Sequence, residues 1–174
     1  MNPTVYFETK RRKVLSAYEA CWNHDTKRDC SGFVREVLQK LGADRQAAPS
    51  SMQANHLYDY FAMRKDLWYF LGRGNAAVPF AGVCAHEGGI VAAVWKNPAW
   101  TGAKDMSHHG HIALVTEYMA SRKAPKPTQL LLAYGGTWSE DQSAEGMKSE
   151  RMSLSFGSGK HDAIVYYKYS GAIP

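Results

Sequence analysis

The chain has 174 residues, of which 45% are apolar, and its formal net charge at pH 7 is +5. This length suits a single domain over residues 1–174, and no apolar run approaches the roughly 20 residues of a membrane-spanning helix, so we expect no stable membrane insertion. Segment 1–13 is polar and then basic, unlike a Sec signal peptide, and the scattered basic residues carry no nucleic-acid-binding motif, so we expect no nucleic-acid partner.

Three segments have the apolar spacing of amphipathic helices. The first covers residues 14–22, and the second begins at Cys30 and has one apolar face. Asp29 is a good N-cap residue for this second helix, and Gly42 lies where a helix-ending glycine is expected. The third predicted helix covers residues 52–61.

The second half of the chain is richer in β-forming residues. Residues 66–71 are predicted to form a short helix or an extended turn, and residues 135–149 a polar loop or a short helix. Residues 152–156 alternate between apolar and polar side chains, as a strand does. The remaining predicted strands are residues 90–95, 111–118, 129–134 and 163–169. Helices that precede strands favour an α+β fold in which N-terminal helices pack on an antiparallel sheet.

Cys30 is the first candidate for chemistry. It opens the first turn of its helix, where unpaired N–H groups and the positive end of the helix dipole favour a thiolate. The neighbouring carboxylate of Asp29 has the opposite effect, because a nearby negative charge raises the pKa of a thiol. A cysteine nucleophile in this position therefore requires a histidine nearby as a base.

His111 is the best placed of the seven histidines, because it opens a predicted strand against which a helix start can pack. His108 and His109 flank it and are expected in a loop near the cleft, where His109 could contact substrate. Asp105 could orient a ring or bind a substrate amine. No Cys, Asp or Glu lies at ligand spacing beside these histidines, and the three cysteines form no zinc motif, so we expect neither a metal nor a cofactor.

Two motifs resemble those of the NlpC/P60 cysteine peptidases. They are Asp-Cys-Ser-Gly-Phe-Val at residues 29–34 and, about 80 residues further along, Gly-His-Ile-Ala-Leu-Val at residues 110–115. The resemblance implies a papain-like NlpC/P60 fold, Cys30 as nucleophile, His111 as general base, and cleavage of amide bonds in the peptide stems of peptidoglycan. It also places Asp29 and Ser31 next to the substrate.

The third catalytic residue departs from the family pattern. Family members usually have a polar residue, often histidine, on the strand after the catalytic histidine, and here that strand has no His, Asn or Asp. Tyr134, a backbone carbonyl, or a dyad without a third member would have to serve.

Within this superfamily the chain is similar to the amidase effectors (Tae family) of type VI secretion systems. That similarity implies a protein made in the cytoplasm without a Sec signal, acting in the periplasm of a target bacterium and neutralised by a dedicated immunity protein. A phage or housekeeping wall hydrolase of the same superfamily is the alternative, as is an inactive wall-binding or interaction module. Which bond is cut, in the stem or in the cross-link, stays open.

Overall fold

A computed structural model describes residues 3–22, 29–105, 107–120, 129–135 and 147–173. The helices are α1 (Pro3–Trp22), α2 (Cys30–Lys40), α3 (Ala54–Met63), α4 (Val78–His86) and α5 (Met152–Phe156). The strands are β1 (Trp68–Arg73), β2 (Val91–Trp95), β3 (His111–Ala120), β4 (Gln129–Gly135), β5 (Met147–Arg151) and β6 (Val165–Tyr169). The predicted α+β class with an antiparallel sheet is confirmed.

The six strands form one sheet in the order β1-β6-β2-β3-β4-β5, and all neighbouring strands are antiparallel. Helices cover both of its faces. One core cluster joins α1, α2 and α3 to alternate residues of the central strands, including Ile112 and Leu114 of β3. The other joins α4 and α5 to the intervening residues, including Ala113 and Val115. Because side chains alternate along a strand, neighbouring residues of β3 belong to different cores.

The ends of α2 follow from local sequence. Asp29 is extended and its side chain accepts a hydrogen bond from the Ser31 N–H, so it caps the helix. At the other end Gly42 has φ 74°, and the Ala43 N–H donates to the Leu38 carbonyl at 2.9 Å. This left-handed glycine satisfies carbonyls that the last turn leaves unpaired. Both predicted ends are confirmed.

Several predictions for individual elements need correction. The first helix begins at Pro3, well before residue 14, and α4 was not predicted at all. Residues 68–73 form strand β1, which pairs with β6. Residues 152–156 form the helix α5, because Met152 and Phe156 lie one turn apart and both pack into the second core. In segment 135–149, strand residues begin at 147, and residues 136–146 lie outside the described part of the chain.

None of the helices that the structure describes combines the length and the apolar character needed to cross a bilayer.

Phe61 anchors the end of α3 in the first core. It is fully buried, and its ring stacks on Trp68 with centroids 4.0 Å apart. The Trp68 indole N–H in turn donates to the Ala47 carbonyl at 2.9 Å. This aromatic cluster ties α3 to the edge strand β1.

We predict that Phe61→Ala lowers the free energy of unfolding by about 3–5 kcal/mol, because it removes a buried ring and leaves a cavity. Met63→Ala, on the same helix but 71% exposed, should change it by less than about 0.5 kcal/mol. Denaturant unfolding followed by circular dichroism measures both. Equal effects of the two substitutions would contradict this description of the core.

Candidate active site

The first turn of α2 holds Cys30 in a rigid frame. The Asp29 carboxylate accepts hydrogen bonds from the backbone N–H of Ser31 at 3.0 Å and from its hydroxyl at 2.9 Å. Arg35 forms an ion pair with Asp29 at 3.2 Å and also donates to the Met52 carbonyl at 2.7 Å. The carboxylate is therefore engaged in fixing the helix start and in linking it to the segment before α3.

The start of β3 lies against the Cys30 sulfur. The backbone N–H of Ile112 lies near the sulfur, as do the N–H groups of Ser31 and of Cys30 itself. Each of these donors favours the thiolate and lowers the pKa of the thiol. Two chain segments that are distant in sequence thus meet at this sulfur, as the two motifs predict.

A cavity of about 220 Å³ opens beside Cys30. Its walls come from the start of α2, from the start of α3, and from the histidine-containing segment before β3. The lining residues are Asp29, Cys30, Ser31, Gln53, Ala54, His109 and Gly110. Of the predicted site residues, the structure therefore brings Asp29, Ser31 and His109 to one cavity with Cys30.

The thiol of Cys30 is neutral at physiological pH in this arrangement. Its pKa is raised to about 11, mainly by burial and in part by the charge of Asp29, while the three backbone N–H groups act in the opposite direction. Burial prevails because only 7% of the residue is exposed. The opposing effect of Asp29 that the sequence predicts is confirmed in its direction.

The His111 ring contacts residues of α5. Its Nε2 lies 2.9 Å from the Ser155 hydroxyl, and its ring meets Phe156 edge to face at 4.7 Å between centroids. Among the hydrogen bonds and ion pairs of the described residues, none joins the His111 imidazole to the Cys30 sulfur. The approach of this imidazole to the thiol, which the sequence predicts, stays a prediction.

The alternation of β3 explains the difference. His111 has the same parity as Ala113 and Val115, whose side chains face α4 and α5. Cys30 instead packs with Ile112 and Leu114 on the opposite face. Thus the backbone of the Gly-His motif reaches the sulfur, while the imidazole turns to the other side of the sheet. The role of His111 as a base stays a prediction.

The imidazole of His111 is neutral at physiological pH. Its pKa is lowered to about 4, mainly by burial and in part by the nearby charge of Lys160. Lys160 itself lies over the ring of Trp95, with 4.1 Å between its Nζ and the ring centroid. A protonated His111 would therefore be disfavoured both by desolvation and by a neighbouring cation.

Asp105 organises the loop before β3. Its carboxylate accepts hydrogen bonds from the N–H groups of Thr101, Ser107 and His108, and its Oδ2 lies 3.0 Å from Nδ1 of His108. The N–H of Thr101 contributes most to holding the Asp105 pKa well below its usual range. Asp105 thus orients a histidine ring, that of His108, and it lines a separate, open cavity of about 570 Å³. Substrate binding by Asp105 stays a prediction.

Tyr134, the candidate third residue, lies in β4, where its backbone pairs with Leu114. Its side chain lies outside the described part of the structure. The other two cysteines form no disulfide and do not line this cavity: Cys21 is buried in α1, and Cys84 is partly buried in α4.

Sequence reasoning missed Asn55. This residue is only 4% exposed, and its amide bonds to the backbone on both sides of the histidine-containing loop. The apolar pattern of the third predicted helix gave no signal for it, because residues two positions apart, such as Asn55 and the buried Leu57, face different sides of a helix.

Among the described residues, no group of three or more His, Cys, Asp or Glu side chains is arranged to hold a metal ion. No model of a known protein family matches the chain. Comparison with curated proteins also gives no match.

The partly buried imidazole of His111 predicts an acid-sensitive fold. Its pKa is about 4 in the folded protein and about 6.5 when unfolded, so the unfolded state binds this proton first as the pH falls. The free energy of unfolding should then be insensitive to this group above about pH 7. It should fall by at most about 3 kcal/mol between about pH 6.5 and 4.

His111→Gln should remove this part of the pH dependence, because Gln does not titrate. Unfolding titrations of both proteins at several pH values measure the difference. Parallel stability curves for the two proteins between pH 4 and 7 would contradict the assignment.

Proposed function

We propose that this protein is a cysteine peptidase of the NlpC/P60 type that cleaves amide bonds in the peptide stems or cross-links of peptidoglycan. The observation that carries the proposal is the position of Cys30. It stands at the start of α2, has three backbone N–H groups near its sulfur and borders a cavity. The two motifs supply the substrate class, and α2 packed on an antiparallel sheet is compatible with a papain-like fold.

In the proposed reaction, a histidine takes the proton of Cys30 and the sulfur attacks a stem-peptide carbonyl. Backbone N–H groups at the start of α2, including that of Cys30, stabilise the oxyanion that forms. The C–N bond then breaks, and the histidine returns the proton to the leaving amine. Water hydrolyses the thioester, which restores the thiol and releases a carboxylic acid.

The base in this reaction has two candidates. The resemblance assigns the role to His111, whose imidazole would first have to leave Ser155 and reach the other side of β3. The cavity favours His109, which already lines it together with Cys30. An acceptor is required in either case, since the thiol is neutral at physiological pH.

The biological role that we propose is that of an antibacterial effector delivered by type VI secretion, acting in the periplasm of the target cell. A dedicated immunity protein would then block the cavity beside Cys30. This part of the proposal is supported by the sequence resemblance, and a phage or housekeeping hydrolase would use the same chemistry.

A wall-binding module without activity is the second candidate. It is favoured by one observation, the raised pKa of a thiol to which no histidine of the described residues forms a hydrogen bond. Such a module would bind sacculi equally well as wild type and as Cys30→Ala, and neither form would release fragments.

We predict that the purified protein releases new muropeptides from Gram-negative sacculi and that Cys30→Ala releases none, because the nucleophile is lost. Cys84→Ala is the matched control, since it removes a thiol from α4 on the opposite face of the sheet. Mass spectrometry of the muropeptides measures the release and identifies the bond that is cut. Identical profiles for wild type and Cys30→Ala would refute the peptidase proposal.

A comparison of His109→Gln with His111→Gln identifies the base. Loss of the general base should lower kcat by roughly 10²–10⁴-fold, and from the cavity we expect this loss for His109→Gln. Steady-state kinetics on a purified muropeptide measures both variants. A loss of that size confined to His111→Gln would instead establish the assignment made from the resemblance.

A further inference from the structure

Asn55 connects three segments around the Cys30 cavity. It lies in the first turn of α3, directly after the cavity residues Gln53 and Ala54. Its Nδ2 donates to the His108 carbonyl at 2.7 Å, and its Oδ1 accepts from the Asn97 N–H at 2.9 Å. Both functional atoms of this buried amide are therefore used by backbone groups.

Asn97 extends the same network. Its Nδ2 donates to the His109 carbonyl at 3.3 Å, so two consecutive carbonyls of the histidine-containing loop are held by asparagine side chains. The position of Asn97 is in turn fixed by Asn55 through the backbone bond. A chain of hydrogen bonds thus runs from α3 through the end of β2 to the loop.

Gly110 shows how closely this network is packed. A Cβ atom at Gly110 would overlap Oδ1 of Asn55 and would lie 2.7 Å from the Trp95 carbonyl oxygen. The glycine of the Gly-His motif is therefore required by the approach of the Asn55 amide. The same packing leaves little freedom to residues 108–110, because any shift would break bonds or create overlap.

Residues 108–110, whose backbone the two asparagines hold, are followed at once by the part of β3 that lies beside the Cys30 sulfur. His109 lines the cavity beside Cys30, and the N–H of Ile112, two residues after Gly110, lies near the sulfur. The geometry of both groups relative to the sulfur depends on the backbone that Asn55 fixes.

We propose that Asn55 is a positioning residue for the Cys30 site. Its amide holds the backbone of residues 108–110 so that His109 and the Ile112 N–H face the sulfur. The catalytic part of this inference rests on the proposed peptidase function, while the effect on the sulfur itself does not.

The test compares Asn55→Asp and Asn55→Ala with Leu57→Ala. The aspartate keeps the acceptor for the Asn97 N–H but removes the donor to the His108 carbonyl. Leu57→Ala removes a fully buried side chain of the same helix and controls for lost stability. Each variant is measured for kcat and KM on a purified muropeptide, and for the pH midpoint of Cys30 alkylation by iodoacetamide.

Both Asn55 variants should lower kcat by roughly 100-fold, because a displacement of about 1 Å at a catalytic group has an effect of this size. KM should change much less, since Asn55 itself does not line the cavity. The alkylation midpoint should move to higher pH, because the thiolate loses the Ile112 donor. Asn97→Ala should reproduce part of both effects.

Equal kcat and equal alkylation midpoints in the Asn55 variants and in Leu57→Ala would overturn the proposal. If wild type releases no muropeptides, the peptidase function fails, and the alkylation midpoint alone decides the role of Asn55. A shifted midpoint then supports it, and an unchanged midpoint refutes it.

Discussion

The approach of the Ile112 backbone N–H to the Cys30 sulfur is the contact on which the candidate site depends. This contact brings together the first turn of α2 and the start of β3, two segments that are distant in sequence. Because all the donors to the sulfur are backbone groups, their positions are set by the packing of α2 on the sheet. The surroundings of the sulfur therefore depend on how α2 and β3 are placed relative to each other.

Two opposing effects set the pKa of the Cys30 thiol: burial raises it, and the backbone N–H groups lower it. Burial has the larger effect, and the charge of Asp29 adds to it, so the thiol stays protonated at physiological pH. The ion pair between Asp29 and Arg35 holds that carboxylate in its capping position, where it completes the helix start. The fold thus positions the nucleophile well but does not ionise it, and the proposed reaction needs a proton acceptor at the moment of attack.

Local signals in the sequence were sufficient for α2 and β3. Asp29 and Gly42 define the ends of α2 within a few residues, and the run from His111 defines the start of β3. The face on which the imidazole of His111 lies could not be predicted in the same way, because strand parity relative to a helix depends on tertiary packing. The role of Asn55 also escaped prediction, since its partners are carbonyl and N–H groups about 40–50 residues away. Similarly, β1 forms only by pairing with β6 at the other end of the chain.

A direct titration of the Cys30 thiol tests this account most simply. With Cys21 and Cys84 replaced by serine, the absorbance of the thiolate follows ionisation of this one sulfur as the pH rises. The account predicts a midpoint far above 9, near 11. A midpoint at or below about 7, as in cysteines paired with an imidazolium, would contradict it, because such a pair requires a histidine in contact with the sulfur in the resting protein.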